Sequence, residues 1–97
     1  MLSENGIIII SATLDKKTKH ILSGPEILTR GFIYVRDSIE LVDGIKKICI
    51  EIITNNAHNN YIDYNKVKLL IRDNLSKYLI DETGNKPMII TVIQEIE

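Results

Sequence analysis

The chain begins and ends with short, largely apolar stretches rich in β-branched residues. Residues 6–14 read Gly-Ile-Ile-Ile-Ile-Ser-Ala-Thr-Leu, and residues 88–96 read Met-Ile-Ile-Thr-Val-Ile-Gln-Glu-Ile. β-Branched residues favour extended backbone, and a continuous apolar run is typical of a covered strand. We therefore predict that the first and last strands form the central pair of a sheet.

Turn-forming residues interrupt the chain after the first strand. Residues 15–18, Asp-Lys-Lys-Thr, predict a hairpin turn, and residues 20–23 predict the return strand. Gly24-Pro25 indicates a turn that breaks this strand. The apolar residues Phe32–Val35 then predict a third short extended segment.

Two central segments carry apolar residues at helical spacing. We predict that Asp37 caps the first helix, with Glu40 at the spacing of a capping box. Asp63 is the predicted cap of the second helix, after a polar linker over residues 55–60, and Gly84 is its predicted C-terminal cap. The apolar stripes recur at three- and four-residue steps: Leu41, Val42, Ile45, Ile48, Cys49, Ile52 and Ile53 in the first helix, and Tyr64, Val67, Leu70, Ile71, Leu75, Tyr78 and Leu79 in the second.

These elements predict an α+β fold in the order β-β-(β)-α-α-β. The expected architecture is a two-layer sandwich, in which two helices cover one face of a three- to four-stranded sheet. We expect residues 1–97 to form a single domain. The other sheet face would carry Ile7 or Ile8 and alternate residues of the last strand. Apolar residues left there would need a partner.

Composition and motifs argue against a catalytic or strongly nucleic-acid-binding chain. The 97 residues include 12 Lys and Arg and 13 Asp and Glu, which gives a net charge of −1 rather than a basic footprint. Cys49 is the single cysteine, and His20 and His58 are isolated, so the sequence predicts no metal or cofactor site. The N-terminus lacks the pattern of a signal peptide, and no apolar run approaches membrane-spanning length. We expect a cytoplasmic chain that does not contact membranes and is not itself an enzyme.

Several strings resemble the C-terminal domain of ribonuclease J, a bacterial metallo-β-lactamase/β-CASP ribonuclease. They are Ser-Gly-Pro-Glu-Ile-Leu-Thr-Arg-Gly-Phe-Ile-Tyr-Val-Arg at residues 23–36, Ile-Arg-Asp-Asn-Leu-Ser-Lys-Tyr-Leu at 71–79 and Lys-Pro-Met-Ile-Ile at 86–90. The resemblance implies a small appendage that follows the two catalytic domains, takes part in dimer and higher assembly, and supports activity. It also implies a zinc-dependent parent enzyme that degrades and processes cytoplasmic RNA as an exo- and endonuclease. The family's zinc ligands and catalytic residues lie in domains absent from this chain, so none is carried over.

We therefore expect a non-catalytic assembly domain. Its implied partners are a second copy, the catalytic domains of its own protein, and RNA through the parent enzyme. The candidate interface or RNA-contact residues are Arg30, Gly31, Phe32, Tyr34, Arg36, Lys16 and Lys17. A purely local role is the alternative for two of them, with Arg36 pairing with Asp37 or Glu40 and Gly31 forming a tight turn. The alternative function is an accessory RNA-binding module that delivers substrate to the catalytic domain.

Overall fold

The fold is a three-stranded sheet with two helices packed on one side. The computed structural model describes residues 6–32 and 38–97. In these residues the elements are β1 (Ile7–Asp15), β2 (Ile21–Arg30), α1 (Ile39–Asn55), α2 (Tyr64–Thr83) and β3 (Met88–Ile96). The strand order is β2-β1-β3, with β1 antiparallel to β2 and parallel to β3. The predicted α+β order is confirmed. β1 and β3 pair as predicted, but β3 lies at an edge and only β1 is central.

The core lies between the sheet and the two helices. Alternate residues of β1 face the helices and are almost fully buried: Ile8, Ile10, Ala12 and Leu14. The helices meet them with residues spaced by four positions: Leu41, Ile45, Cys49 and Ile53 from α1, and Val67, Ile71, Leu75 and Leu79 from α2. Every one of these helical residues belongs to the stripes predicted from the sequence. The two-layer sandwich is therefore confirmed.

The helix ends differ from the prediction at one cap. α1 is capped by Ser38, whose Oγ accepts the backbone N–H of Leu41 at 3.0 Å, so the predicted Asp37 cap is wrong. Asp37 itself lies outside the described residues. The two caps of α2 are confirmed, since Asp63 Oδ1 accepts the N–H of Lys66 at 3.2 Å and Gly84 has a left-handed φ of 74°.

β2 is longer than predicted because it continues through Gly24 and Pro25. The pairing with β1 shifts register between Ser11 and Thr13, and this shift accommodates Gly24 and Pro25 in the strand. The Gly24–Pro25 peptide bond is cis. Pro is tolerated at edge strands and bulges, where a ladder hydrogen bond is dispensable. The prediction that Gly24-Pro25 breaks the strand is therefore wrong.

The predicted third extended segment, Phe32–Val35, is described only at Phe32. That residue follows β2, belongs to no strand, and is buried in the core. The remainder of the segment lies outside the described residues. Over residues 6–32 and 38–97, no helix is long and apolar enough to cross a membrane.

Candidate assembly surface on the open face of the sheet

Within residues 6–32 and 38–97, no element covers the sheet face opposite the helices, and this face is largely apolar at one end. We call it the open sheet face, and its apolar residues are Ile7 and Ile9 of β1, Leu28 of β2, and Met88, Ile90, Val92 and Ile96 of β3. Leu28, Ile90 and Val92 are 51%, 41% and 48% exposed. Contiguous apolar surface of this kind marks interaction sites in proteins.

The strand register arranges the open sheet face in rows that grade from apolar to polar. Ile9 lies between Leu28 and Ile90, in a fully apolar row across all three strands. Two residues further along β1, Ser11 lies between Glu26 and Val92.

Beyond Ser11 the open sheet face is polar except at Ile96, which is 49% exposed at the far end of β3. Thr13 lies between Ser23 and Gln94, and Gln94 Nε2 donates to Thr13 Oγ1 at 3.2 Å. The exposed apolar surface is therefore concentrated near the start of β1.

The sequence predicted this surface only in part. It anticipated alternate residues of the last strand and left Ile7 and Ile8 as alternatives; the structure buries Ile8 and places Ile7 and Ile9 on the open face. Leu28 was missed because the second strand was predicted to end at Ser23. No alternation of polarity marks residues 26–30, so only the pairing with β1 identifies Leu28 as a surface residue.

One group of predicted site residues lies at the apolar end of the sheet. Arg30 pairs with Ile7 at the rim of the open sheet face, where its Nη1 donates to the carbonyl of Thr29 at 3.2 Å. Gly31 has a positive φ of 70°, which fits the local turn role. Phe32 is only 3% exposed. Tyr34 and Arg36 lie outside the described residues.

The other predicted group, Lys16 and Lys17, lies at the opposite end of β1. At about 3.3 Å of rise per residue, the length of β1 separates this turn from Arg30 by roughly 25 Å. Both lysines are exposed, and Lys16 Nζ lies 3.7 Å from Glu97 Oε1. The predicted site residues therefore do not converge on one site.

A polar cluster ties the hairpin turn to α2 and β3. One carboxylate oxygen of Glu95 accepts hydrogen bonds from Lys19 Nζ and from the hydroxyl of Tyr64. The bond from Lys19, followed by that from Tyr64, lowers the pKa of Glu95. Burial, followed by the bond to Glu95, raises the pKa of Tyr64. Glu95 therefore balances the charge of Lys19 and links the hairpin turn, α2 and β3.

The described residues do not fit a zinc site. Across residues 6–32 and 38–97, no three His, Cys, Asp or Glu side chains lie close enough together to hold a metal ion. Cys49 is fully buried, and burial raises the pKa of its thiol to about 12, which keeps it protonated and a poor metal ligand. No chemical step is therefore assigned to zinc in this chain.

Known relatives match nearly the whole chain. Ribonuclease J2 of Bacillus subtilis and the proteins named Ribonuclease J 2 of Staphylococcus epidermidis and Staphylococcus aureus are each 42% identical over 96 residues. The match covers 99% of this chain but 17% of each relative, so the chain spans about a sixth of their length. The family described as Ribonuclease J C-terminal domain matches residues 1–96. The chain therefore belongs to the ribonuclease J C-terminal domain family.

Proposed function

We propose that this chain is a non-catalytic assembly domain of a ribonuclease J-type protein, and that its open sheet face packs against the same face of a second copy. The observation that carries the proposal is the apolar row Leu28–Ile9–Ile90, which no element of residues 6–32 and 38–97 covers. Fully burying an exposed side chain of this type is worth about 1.5–3 kcal/mol, and about half of that remains to be gained at Leu28 and Ile90, which are half-buried.

The shape of the domain supports a face-to-face contact. Two sheets stack about 10 Å apart when their inner faces interdigitate, as in β-sandwiches. In this chain the two helices cover one side of the sheet. Among residues 6–32 and 38–97, nothing packs on the opposite side of β1, which carries Ile7 and Ile9. A domain of 97 residues also buries a limited fraction of its surface alone, so a partner adds stability.

The proposal assigns the chemistry to the rest of the protein. The relatives are named ribonucleases, and this chain corresponds to 17% of their length. We propose that zinc-dependent RNA hydrolysis and the principal RNA contacts belong to the remaining part of a cytoplasmic protein. This domain would bring two such parts together, or dock on its own catalytic domains.

The charge distribution favours assembly over the alternative RNA-binding role. Lys19 is paired with Glu95, Lys16 lies near Glu97, and Arg72 Nη2 lies 3.0 Å from Asp73 Oδ1. Proteins that bind RNA through the backbone present a basic stripe, and their affinity falls steeply with salt. An RNA titration at two salt concentrations distinguishes the roles, because tight, salt-sensitive binding would support the alternative.

Sedimentation equilibrium tests the proposed contact. We expect the wild-type chain to associate with increasing concentration, and Ile90→Asp to raise the dissociation constant of the face contact at least tenfold, about 1.4 kcal/mol. Ile50→Asp is the matched control, since Ile50 on α1 has the same 41% exposure and lies away from the open sheet face. A monomeric wild-type chain, or equal effects of the two substitutions, would contradict the proposal.

A further inference from the structure

We propose that the free edge of β3, together with a groove beside α2, binds an extended acidic peptide segment of another protein by strand addition. This edge is a different surface from the open sheet face and needs no second copy of the chain, so the inference goes beyond the proposed function. In strand addition the peptide becomes a further strand of the sheet. Backbone hydrogen bonds then supply affinity, and alternate side chains supply specificity.

The outer edge of β3 presents a regular row of backbone groups, and no strand of residues 6–32 and 38–97 pairs with it. The N–H of Met88 donates to the carbonyl of Gly6 and the carbonyl of Ile96 accepts the N–H of Lys16, both at 2.8 Å, so Met88 and Ile96 turn towards β1. The ladder between them is unbroken. Because backbone groups alternate sides along a strand, the intervening set turns its N–H and C=O groups to the free edge: Ile89, Thr91, Ile93 and Glu95.

β3 lacks the features that protect natural edge strands from pairing. Proteins blunt such edges with proline, lysine or a bulge. The other edge strand, β2, contains Pro25 and a register shift. β3 has no proline, no basic residue and no shift of register. The free edge of β3 is therefore able to accept another strand.

A groove between α2 and β3 runs along this edge. It consists of two cavities of about 480 and 500 Å³, which share Arg72 and Ile89. The α2 side of the groove reaches from Asn65 to Ser76. That stretch of helix is about 17 Å long at 1.5 Å per residue. It accommodates about five residues of an extended peptide, at about 3.3 Å each.

The charges in the groove favour a peptide with acidic side chains. Asp73 is the only carboxylate among the lining residues, and it is already paired with Arg72. Lys68 lines the apolar cavity beside Leu69, which is half-exposed, and has no ion pair within the described parts of the chain. Lys86 adds a further cation at the other end of the groove. A carboxylate supplied by a peptide would therefore find an unpaired cation at Lys68.

Two other occupants match the groove less closely. β3 of a second copy offers no free carboxylate to Lys68, because Glu95 is bonded to Lys19 and Glu97 lies near Lys16. RNA cannot continue a peptide ladder, and among the described residues no aromatic side chain lines the groove to stack a base. A peptide satisfies both the backbone row and the cation.

The two faces of the sheet define the alternation of the added strand. Ile89 and Ile93 face the helices and pack against the core, whereas Ile90 lies on the open sheet face. An added strand would place one set of side chains beside Lys68 and the other beside Ile90. The fitting sequence therefore alternates glutamate with valine. In the more stable antiparallel pairing, the residues hydrogen-bonded to Thr91 and its equivalents share their face, so the glutamates carry the backbone groups that bind β3.

Backbone methylation of the peptide tests strand addition without altering the protein. The probe is a fluorescein-labelled octapeptide of alternating valine and glutamate, and fluorescence anisotropy measures its affinity for the chain. We expect N-methylation of the glutamates to weaken binding at least tenfold, because it removes several backbone hydrogen bonds. N-methylation of the valines is the matched control and should change affinity less than threefold. Equal or reversed effects of the two methylated peptides would overturn the proposal.

Charge reversal in the protein tests the role of the groove. We expect Lys68→Glu to weaken binding of the valine–glutamate peptide about fivefold and to strengthen binding of a valine–lysine peptide. Lys77→Glu is the control, since Lys77 is an exposed lysine of α2 that lines neither cavity and the change in net charge is the same. Equal effects of the two substitutions would overturn the assignment of this groove.

An oligouridylate of equal length tests the RNA alternative. If it binds as tightly as the valine–glutamate peptide, the groove attracts polyanions in general and the proposal is overturned. Absence of peptide binding also overturns it. Sedimentation without peptide reports on the face contact alone, so failure of strand addition would leave the proposed function intact, and failure of the face contact would leave strand addition intact.

Discussion

At the scale of single residues, Gly44 of α1 lies against the side chain of Tyr78 from α2. A Cβ at this position would lie 1.9 Å from the hydroxyl oxygen of Tyr78 and 2.5 Å from its Cζ. Replacing Gly by Ala inside a helix ordinarily raises stability by up to about 1 kcal/mol, whereas overpacking lowers it by about 1–3 kcal/mol. Because the new methyl group would overlap the Tyr78 ring, we expect the overpacking cost to outweigh the gain in helix propensity.

We predict that Gly44→Ala lowers the free energy of unfolding by about 1 kcal/mol, because the overpacking cost exceeds the gain in helix propensity. Urea denaturation of the two proteins measures this change. In a Tyr78→Leu background, Gly44→Ala should lower the free energy of unfolding by less, because no ring meets the new methyl group. A stabilised Gly44→Ala protein would contradict this account of the helix crossing.

The Glu95 cluster makes stability depend on pH. Hydrogen bonds from Lys19 and Tyr64 lower the pKa of Glu95 from its ordinary value of 4.5. A depressed carboxyl pKa contributes stability above that ordinary value, and the contribution is lost as pH falls through the lowered value. The cluster should therefore stabilise the fold at neutral pH and contribute progressively less in acid.

We predict that Glu95→Gln unfolds at lower urea concentration than wild type at pH 7, and that the difference shrinks at pH 3. Glu51→Gln, at an exposed glutamate of α1, is the control and should change little at either pH. A Glu95→Gln difference of the same size at both pH values would show that the carboxylate charge is not responsible.

At the scale of elements, periodicity predicted the two helices and their buried faces, but local signals misplaced two boundaries. Gly24-Pro25 is a typical strand breaker, yet pairing with β1 carries β2 through it, and such pairing is not written in neighbouring residues. Asp37 and Ser38 are both good cap residues in adjacent positions. Only geometry, the bond from Leu41 N–H to Ser38 Oγ, decides between them.

We predict that Ser38→Ala destabilises the protein by about 1 kcal/mol, since it removes the acceptor for an otherwise unpaired helix N-terminal N–H. Ser76→Ala is the same substitution in the interior of α2, where alanine is the better helix former, and should be neutral or slightly stabilising. Thermal unfolding of both variants compares the positions. An equal loss of thermal stability in the two variants would contradict the assignment of Ser38 as the cap.

At the scale of the whole molecule, the sequence predicted an uncovered sheet face but not which residues form it. Residues 7–10 are all isoleucine, so their pattern cannot distinguish the inward from the outward set. Ile8 and Ile10 pack against the helices, so Ile7 and Ile9 lie on the open sheet face. The contributions of β2, including Leu28, depend on strand register and could not be read from local sequence.

The most direct test of the central claim is isoleucine methyl NMR of the wild-type chain over a wide concentration range. We predict that the methyl signals of Ile9 and Ile90 shift or broaden as concentration rises, because the open sheet face becomes buried between copies. Ile50 and Ile80, exposed on the helices, should remain unchanged. Concentration-independent spectra, or changes confined to the helical isoleucines, would contradict assembly through the open sheet face.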